Sequence, residues 1–353
     1  MAFEHLQLVD PSHYVKPRQH ETRVGQAVAL LSEVVNESTD GYSEALSEAY
    51  KNGQRVAVVG VPESIGPRAN LGRSGAEGAW EAFLNSFLNL QATPHLPVQE
   101  LLLVGAVSCE PLQQQGAGLD PQDAGELARL RELCGELDQQ VMRVLRPLFQ
   151  AGFEVILVGG GHNNAYPLLR SLADVTEVGC GAVNLDPHAD FRLREGRHSG
   201  NGFSYAYVDG ALEYYHVVGL HEGKNNATSL KQMRDAGFRY HSIHRLYDMF
   251  FTDAMQDVTA KAASWLCPLG IEVDIDALSQ VPASAFNYTG LTVAQGYRFV
   301  SQLAEIETAR YVHLAEAAPA LHPSGKAAGE LQVGQLLSEL ALAYLHGRQR
   351  RNP

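Results

Sequence analysis

The chain alternates between short apolar runs and longer amphipathic stretches. Apolar runs of strand length occur at about residues 55–60, 100–109, 153–158, 181–186, 215–220, 238–243, 269–275 and 311–316. Between most of them lie segments with apolar positions at three-to-four spacing. The clearest covers about residues 121–151, where Leu127, Leu130, Leu133, Leu137, Val141, Val144 and Leu148 mark one helical stripe. Further helices are expected at about 75–90, 165–173, 230–236, 252–265, 293–306 and 331–345. Strands alternating with helices imply βαβ units. The pattern therefore predicts an α/β fold, three layers deep (αβα), around a mostly parallel sheet of about eight strands. No linker-like stretch, internal repeat or low-complexity tract divides the chain, so residues 1–353 are expected to form a single domain. Residues 1–52 form a polar lead-in, an N-terminal helical extension with one or two helices around 24–34 and 43–51.

Composition narrows the classes of function. Of 353 residues, 45% are hydrophobic, enough for a large core, and the formal net charge is −13. An acidic chain without a basic stripe argues against nucleic acid or an anionic membrane as partner. No apolar stretch reaches the roughly 18 residues of a membrane span, and Met1–Ala2–Phe3–Glu4–His5 does not begin a signal peptide. The four cysteines, Cys109, Cys134, Cys180 and Cys267, are widely spaced and form no C-x-x-C. They read as reduced, mostly buried thiols of a cytoplasmic protein.

Candidate chemistry gathers at the carboxyl ends of the expected strands, where open α/β sheets bind ligands. The strand at 181–186 runs into Asp186–Pro187–His188–Ala189–Asp190. In an extended strand Asp186, His188 and Asp190 share one face. Neighbouring aspartates repel unless a cation lies between them, and imidazole with carboxylate suits Mn, Zn or Fe. Alone, D-x-H-x-D fits a hydrogen-bonded turn as well. The run at 269–275 ends in Asp274–Ile275–Asp276, again two carboxylates at i and i+2; a turn cap and an arginine pair is the other reading of these. The third cluster is His162, which follows Gly159–Gly160–Gly161. That turn lacks the lysine of a phosphate loop and does not fit G-x-G-x-x-G. Taken alone, His162 also fits a core histidine. Two histidines and four aspartates are too many donors for one tetrahedral zinc. They suit two divalent ions bridged by carboxylates.

The order G-G-x-H, D-x-H-x-D, D-x-D resembles that of the ureohydrolase (arginase) superfamily of binuclear manganese enzymes. The resemblance extends from about residue 55 to 345. It implies one Mn²⁺ held by His162 and Asp190, the other by His188 and Asp276, with Asp186 and Asp274 bridging. It also covers residues 66–76, similar to an R-x-N-x-G-R-x-G-A loop, and His313–Pro319, similar to a late strand ending in E-x-x-P. By that match the catalytic residues are Glu316, facing the cationic carbon of an amidine or guanidine, and Asp190, moving a proton from the attacking water to the leaving amine. Trimers or hexamers are implied as well.

Within the superfamily the chain is most similar to formimidoylglutamases. Asp190–Phe191–Arg192 resembles their D-L-R, and residues 199–203 resemble their S-G-x-x-F. Arginases have a proton-shuttling histidine where Phe203 stands. The implied small-molecule substrate is N-formimidoyl-glutamate, a dicarboxylate, with Arg192 able to clamp a carboxylate bidentately and Ser199 and Asn201 as further donors. Arg192 paired with Glu195, and Ser199 and Asn201 as turn formers, are the plainer readings. A guanidine hydrolase is the alternative activity, and a non-catalytic metal-binding relative a more distant one. His198 reads as an exposed loop residue or a substitute proton shuttle. The turn has Gly161 where the family often has Asp, and Pro187 replaces a usual alanine.

Overall fold

Each of the eight apolar runs becomes a strand. The structure, a computed structural model, describes residues 4–34 and 41–351. Among them are the strands β1 (Leu6–Gln7), β2 (Ala29–Leu30), β3 (Val56–Gly60), β4 (Leu101–Val107), β5 (Glu154–Val158), β6 (Cys180–Leu185), β7 (Leu212–Leu220), β8 (Arg239–Ser242), β9 (Leu269–Asp274) and β10 (Ala309–Ala315). They form one ten-stranded sheet in the order β1-β4-β3-β5-β10-β9-β6-β7-β8, with β2 also beside β4. Only β1 pairs antiparallel; every other pairing of these strands is parallel.

The two strands beyond the expected eight come from the lead-in. The helix expected over 24–34 is two four-residue helices, Val24–Ala27 and Leu31–Val34, separated by β2. Val24, Leu31 and Leu46 are fully buried against the chain's own core. The described part of the lead-in thus widens the sheet and is not simply helical.

Strand alternation divides the interior in two. Val183, Leu185, Ile271, Val273, Val312 and Leu314 face one core, which is covered by helices Ala79–Phe87, Val293–Ala304 and Lys326–Gln349. Cys180, Ala182, Val155, Leu157 and Tyr311 face the other, under helices Ala124–Gln150 and Ala165–Thr176. Asp123 caps the longest helix, its Oδ1 accepting from the N–H groups of Gly125 and Glu126 at 2.9 and 3.0 Å. Each fully buried Leu of its stripe stabilises the fold by roughly 1.5–3 kcal/mol.

Short helices at Ile65–Ala69, Glu110–Ala117, Gly202–Val208 and Ile243–Asp248 lie outside the expected set. Each has at most two turns, too short for a period to stand out. No described helix is long and apolar enough to cross a membrane.

Candidate metal centre and substrate cavity

The four central strands β5, β10, β9 and β6 deliver every expected donor from their carboxyl ends. His162 follows β5 through a turn in which Gly159 and Gly160 have φ of +87° and +72°, a region open to glycine. Gly161 meets a different constraint. A Cβ there would lie 2.3 Å from Pro67 Cδ and 2.4 Å from Asn163 Oδ1, so the Asp frequent in the family does not fit. Buried Glu63 fixes this turn, accepting from the N–H of Gly161 at 2.6 Å, from Gly66 at 3.0 Å and from Asn164 Nδ2 at 2.9 Å.

The D-x-H-x-D segment does not continue the strand, as the shared-face reading required. β6 ends at Leu185, and the chain turns as Asp186 Oδ1 accepts the His188 N–H at 2.6 Å. Asp190 adopts φ +44°. β9 ends likewise: Asp274 Oδ1 accepts the Asp276 N–H at 2.8 Å within the single turn Ile275–Ala277. These turns sort the donors into two groups. His162, Asp186, Asp190 and Asp274 form one; Asp186, His188 and Asp276 form the other.

His162 Nδ1 lies 3.3, 3.1 and 3.4 Å from carboxylate oxygens of Asp186, Asp190 and Asp274. His188 Nδ1 lies 3.5 Å from Asp186 Oδ1 and 3.2 Å from Asp276 Oδ2. Asp186 therefore belongs to both groups, through different oxygens. Asp274 reaches the His162 group through Oδ2, and its Oδ1 accepts the N–H of its own turn just as Asp186 Oδ1 does.

The donor set fits two divalent ions on its own evidence. His162 Nδ1 is buried within reach of three oxygens yet makes no aligned hydrogen bond, and Asp276 Oδ1 and Glu316 Oε2 are also buried without partners. Burial and then the charge of Asp186 push the Asp190 carboxyl above its ordinary range; burial and then Asp276 push Asp274 well above it. Asp186 goes the other way, down to about 2, because contacts with His162 and His188 outweigh its burial. Positive charge placed among these groups relieves the repulsion.

Glu316 follows β10 with φ +67°. Its Oε1 accepts the His162 N–H at 2.8 Å, while burial raises its carboxyl to about 8. Two residues of this site, Asp190 and Glu316, thus hold left-handed backbone conformations that L residues avoid, a form of strain that collects at functional sites.

Above the donors opens a cavity of about 240 Å³. Asp190, Asp274, Asp276 and Glu316 form an acidic floor, and Arg192, Ser199, Asn70 and Lys224 line its upper part. Arg192 Nη1 donates to Asn70 Oδ1 at 3.2 Å, and Asn70 Nδ2 donates to Ser199 Oγ at 3.2 Å. Glu195 pairs with Arg131, leaving Arg192 unpaired by that acid. Asn201 is not part of the cavity. Its side-chain oxygen accepts from Arg197 Nη1 at 2.6 Å and its amide donates to Gly196 O at 2.7 Å, so both ends are held within the loop. Arg197 in turn pairs with buried Asp138 at 2.7 Å.

His198 is fully buried, not exposed. Its Nδ1 accepts the Gly200 N–H at 3.1 Å, and burial, then Arg131, Arg197 and Arg192, depress its pKa to about 3. The ring does not line the cavity. Phe203 packs its edge on the His162 ring at 5.3 Å and stacks on Tyr215 at 4.4 Å. Lys224 and Glu63 escaped the sequence reading; Asn70 stood in the R-x-N-x-G-R-x-G-A loop but was given no role there.

A parallel sheet with two overlapping donor groups at the ends of its central strands defines an α/β metalloenzyme of the ureohydrolase type. A model of the arginase family matches residues 54–341, and the chain belongs to that family. The formimidoylglutamase of Chromobacterium violaceum is 26% identical to it over 258 residues, 70% of this chain and 75% of the relative. The crystal structure of the Bacillus subtilis formimidoylglutamase shares the fold with a TM-score of 0.73 at 14% identity, covering 95% of this chain and 94% of that one. The Trypanosoma cruzi formiminoglutamase with Mn²⁺ aligns with a TM-score of 0.68 at 15% identity, over 93% and 98% of the two chains. The two overlapping donor groups are arranged to take divalent metal ions.

Proposed function

We propose that this chain hydrolyses N-formimidoyl-glutamate, with water, to glutamate and formamide. The observation that carries the reading is the polarity of the cavity. Its floor is acidic and its rim bears Arg192 and Lys224, neither paired with a carboxylate among the described residues. A cationic amidine at one end and two carboxylates at the other complement that arrangement; a guanidine with a cationic tail does not.

His162, Asp186, Asp190, Asp274, His188 and Asp276 would hold two Mn²⁺, whose charge acidifies an attacking water near neutral pH. Glu316 has one oxygen fixed by the His162 N–H and one free. The free oxygen receives the amidinium and orients its carbon for attack, and the cation in turn favours the ionised carboxylate. Asp190 accepts the proton of the water and passes it to the departing glutamate nitrogen. Arg192 and Lys224 take one substrate carboxylate each, with Ser199 and Asn70 orienting Arg192. The enzyme is expected in the cytoplasm, in keeping with its four free cysteines, as a trimer or hexamer, which sedimentation measures.

The deciding assay offers Mn²⁺-loaded protein N-formimidoyl-glutamate beside arginine, agmatine and 4-guanidinobutyrate, with formamide and urea measured separately. Formamide without urea supports the proposal. Urea from a guanidino substrate keeps the metal site and overturns the substrate.

A further inference from the structure

Beneath the metal donors lies a second buried polar row that the proposed reaction leaves unused. In register across three strands, Asn184 of β6 sits beside Glu272 of β9, and Glu272 beside His313 of β10. All three are fully buried. Two residues on along each of the first two strands stand Asp186 and Asp274, on the same face. Asn184 already serves the upper row: its Nδ2 donates to Asp186 Oδ2 at 2.9 Å.

Glu272 is the member that needs a reason. A carboxylate at this depth costs several kcal/mol unless donors surround it. Tyr311 Oη donates to its Oε1 at 2.7 Å, and His313 Nδ1 lies 2.7 Å from its Oε2. The third neighbour is His162, whose Nε2 lies 3.3 Å from that same Oε2. The opposite ring nitrogen, Nδ1, faces Asp186, Asp190 and Asp274. When one imidazole nitrogen binds a metal, the other carries the proton and needs an acceptor. Among the described residues Glu272 is the only carboxylate within ion-pair reach of Nε2, which has no aligned hydrogen bond in this geometry. Phe203 packs against the same imidazole, nearly perpendicular to it at 88°.

We propose that Glu272 is a positioning residue of the metal centre: it accepts a hydrogen bond from the Nε2–H of His162 and thereby presents Nδ1 to the ion, while Tyr311 and His313 hold the carboxylate. The proposal rests on His162 being a ligand and not on which amidine is hydrolysed. The same three residues, His162, Glu272 and His313, also lie close enough to hold an ion themselves, and the test separates the two roles.

Metal-free wild type and Glu272→Gln are titrated with Mn²⁺, the ions counted per chain, and the spin-coupled pair followed by electron paramagnetic resonance. Wild type is expected to hold two ions. In Glu272→Gln one of them should bind on the order of 10–100-fold more weakly, the usual effect of altering such a partner, because the amide oxygen is a neutral and weaker acceptor. A single-ion spectrum should appear at low Mn²⁺, the pair should return at high Mn²⁺, and KM should stay near wild type. Glu272→Asp, which keeps an anionic acceptor, should recover part of the affinity. Wild-type affinity for both ions in Glu272→Gln, with only a lower melting temperature, overturns the proposal. So does a third ion in wild type that the variant loses. Fewer than two ions in wild type overturns the metal site and this role together. Should Glu272→Gln not fold, Tyr311→Phe and His313→Gln loosen the same carboxylate from its far side, and unchanged Mn²⁺ affinity in both overturns the proposal equally.

Discussion

The floor of the cavity is carried by the ends of four adjacent strands, whereas its rim is carried by loops that arrive from residues 70, 192, 199 and 224. On the floor, each strand end delivers its donors in one short turn, Asp186 with His188 and Asp274 with Asp276, and only the sheet brings these turns together with His162 and Glu316. On the rim, partners are far apart: Arg192 and Ser199 both meet Asn70, across 122 and 129 residues. Strand ends fix charge with little freedom, which suits a metal centre that must be assembled before substrate arrives. Loops held by a few side-chain contacts suit the part that decides which substrate enters.

If the floor works as one unit, the most damaging single change is at the residue shared by both donor groups. Asp186→Asn leaves the surrounding charges uncompensated, at roughly 3–5 kcal/mol. Binding of both Mn²⁺ should fall on the order of 10²–10⁴-fold, and activity with it, as metal analysis and formamide release would show. Asp274→Asn should chiefly weaken the ion of the His162 group. Equal losses at both ions in the two variants would give Asp274 the same shared place as Asp186.

The rim should respond differently. Arg192→Ala and Lys224→Ala each remove a charge-assisted hydrogen bond worth about 1.5–3 kcal/mol, or about 10–150-fold in kcat/KM. The loss should lie in KM, with two Mn²⁺ still bound. Loss of metal in either variant would break the division between floor and rim.

The same division explains what could be read from the chain alone. Seven of the eight expected strands were legible because buried parallel strands are short apolar runs, whereas the edge strand β8 is polar and only its flanks, Phe238 and Ile243, are apolar; the six donors were legible because their spacing is local. The turns at Asp186 and Asp274 were not, since the alternation of a strand and a one-residue Asx turn place the same residues at i and i+2. Asn201 shows the limit on the rim. Its place in S-G-N fits a substrate donor, but its partners, Arg197 and through it Asp138, lie where only the folded chain brings them. Lys224 lies in no motif; the folded cavity alone reveals it.

Asn201 therefore sharpens the comparison from within the rim loop. Asn201→Ala leaves Arg197 with a buried donor unpaired, a cost of about 1–3 kcal/mol. The melting temperature should fall by a few degrees while KM for the amidine stays within about twofold of wild type, since the side chain does not reach the cavity. A large rise in KM at unchanged stability would return Asn201 to substrate binding.

The smallest expected effect concerns how the rim loop depends on pH. His198 has its pKa depressed to about 3 by burial and by Arg131, Arg197 and Arg192, against about 6.5 in an unfolded chain. As pH falls below about 6.5 the unfolded state takes up a proton that the folded state refuses, so stability is lost as pH falls from there toward 3. The slope contributed by one such group is at most about 1.4 kcal/mol per pH unit. Asn in its place keeps a side-chain acceptor for the Gly200 N–H without a titrating ring. Metal-free His198→Asn should therefore lose less melting temperature than metal-free wild type between pH 7 and pH 5. The difference between the two removes the titration of the floor, which both proteins share. Parallel curves would mean that His198 protonates in place, with the loop opening to Glu195, whose Oε1 lies 3.5 Å from its Nε2. The rim would then be looser than its burial indicates, and the contrast with the rigid floor correspondingly greater.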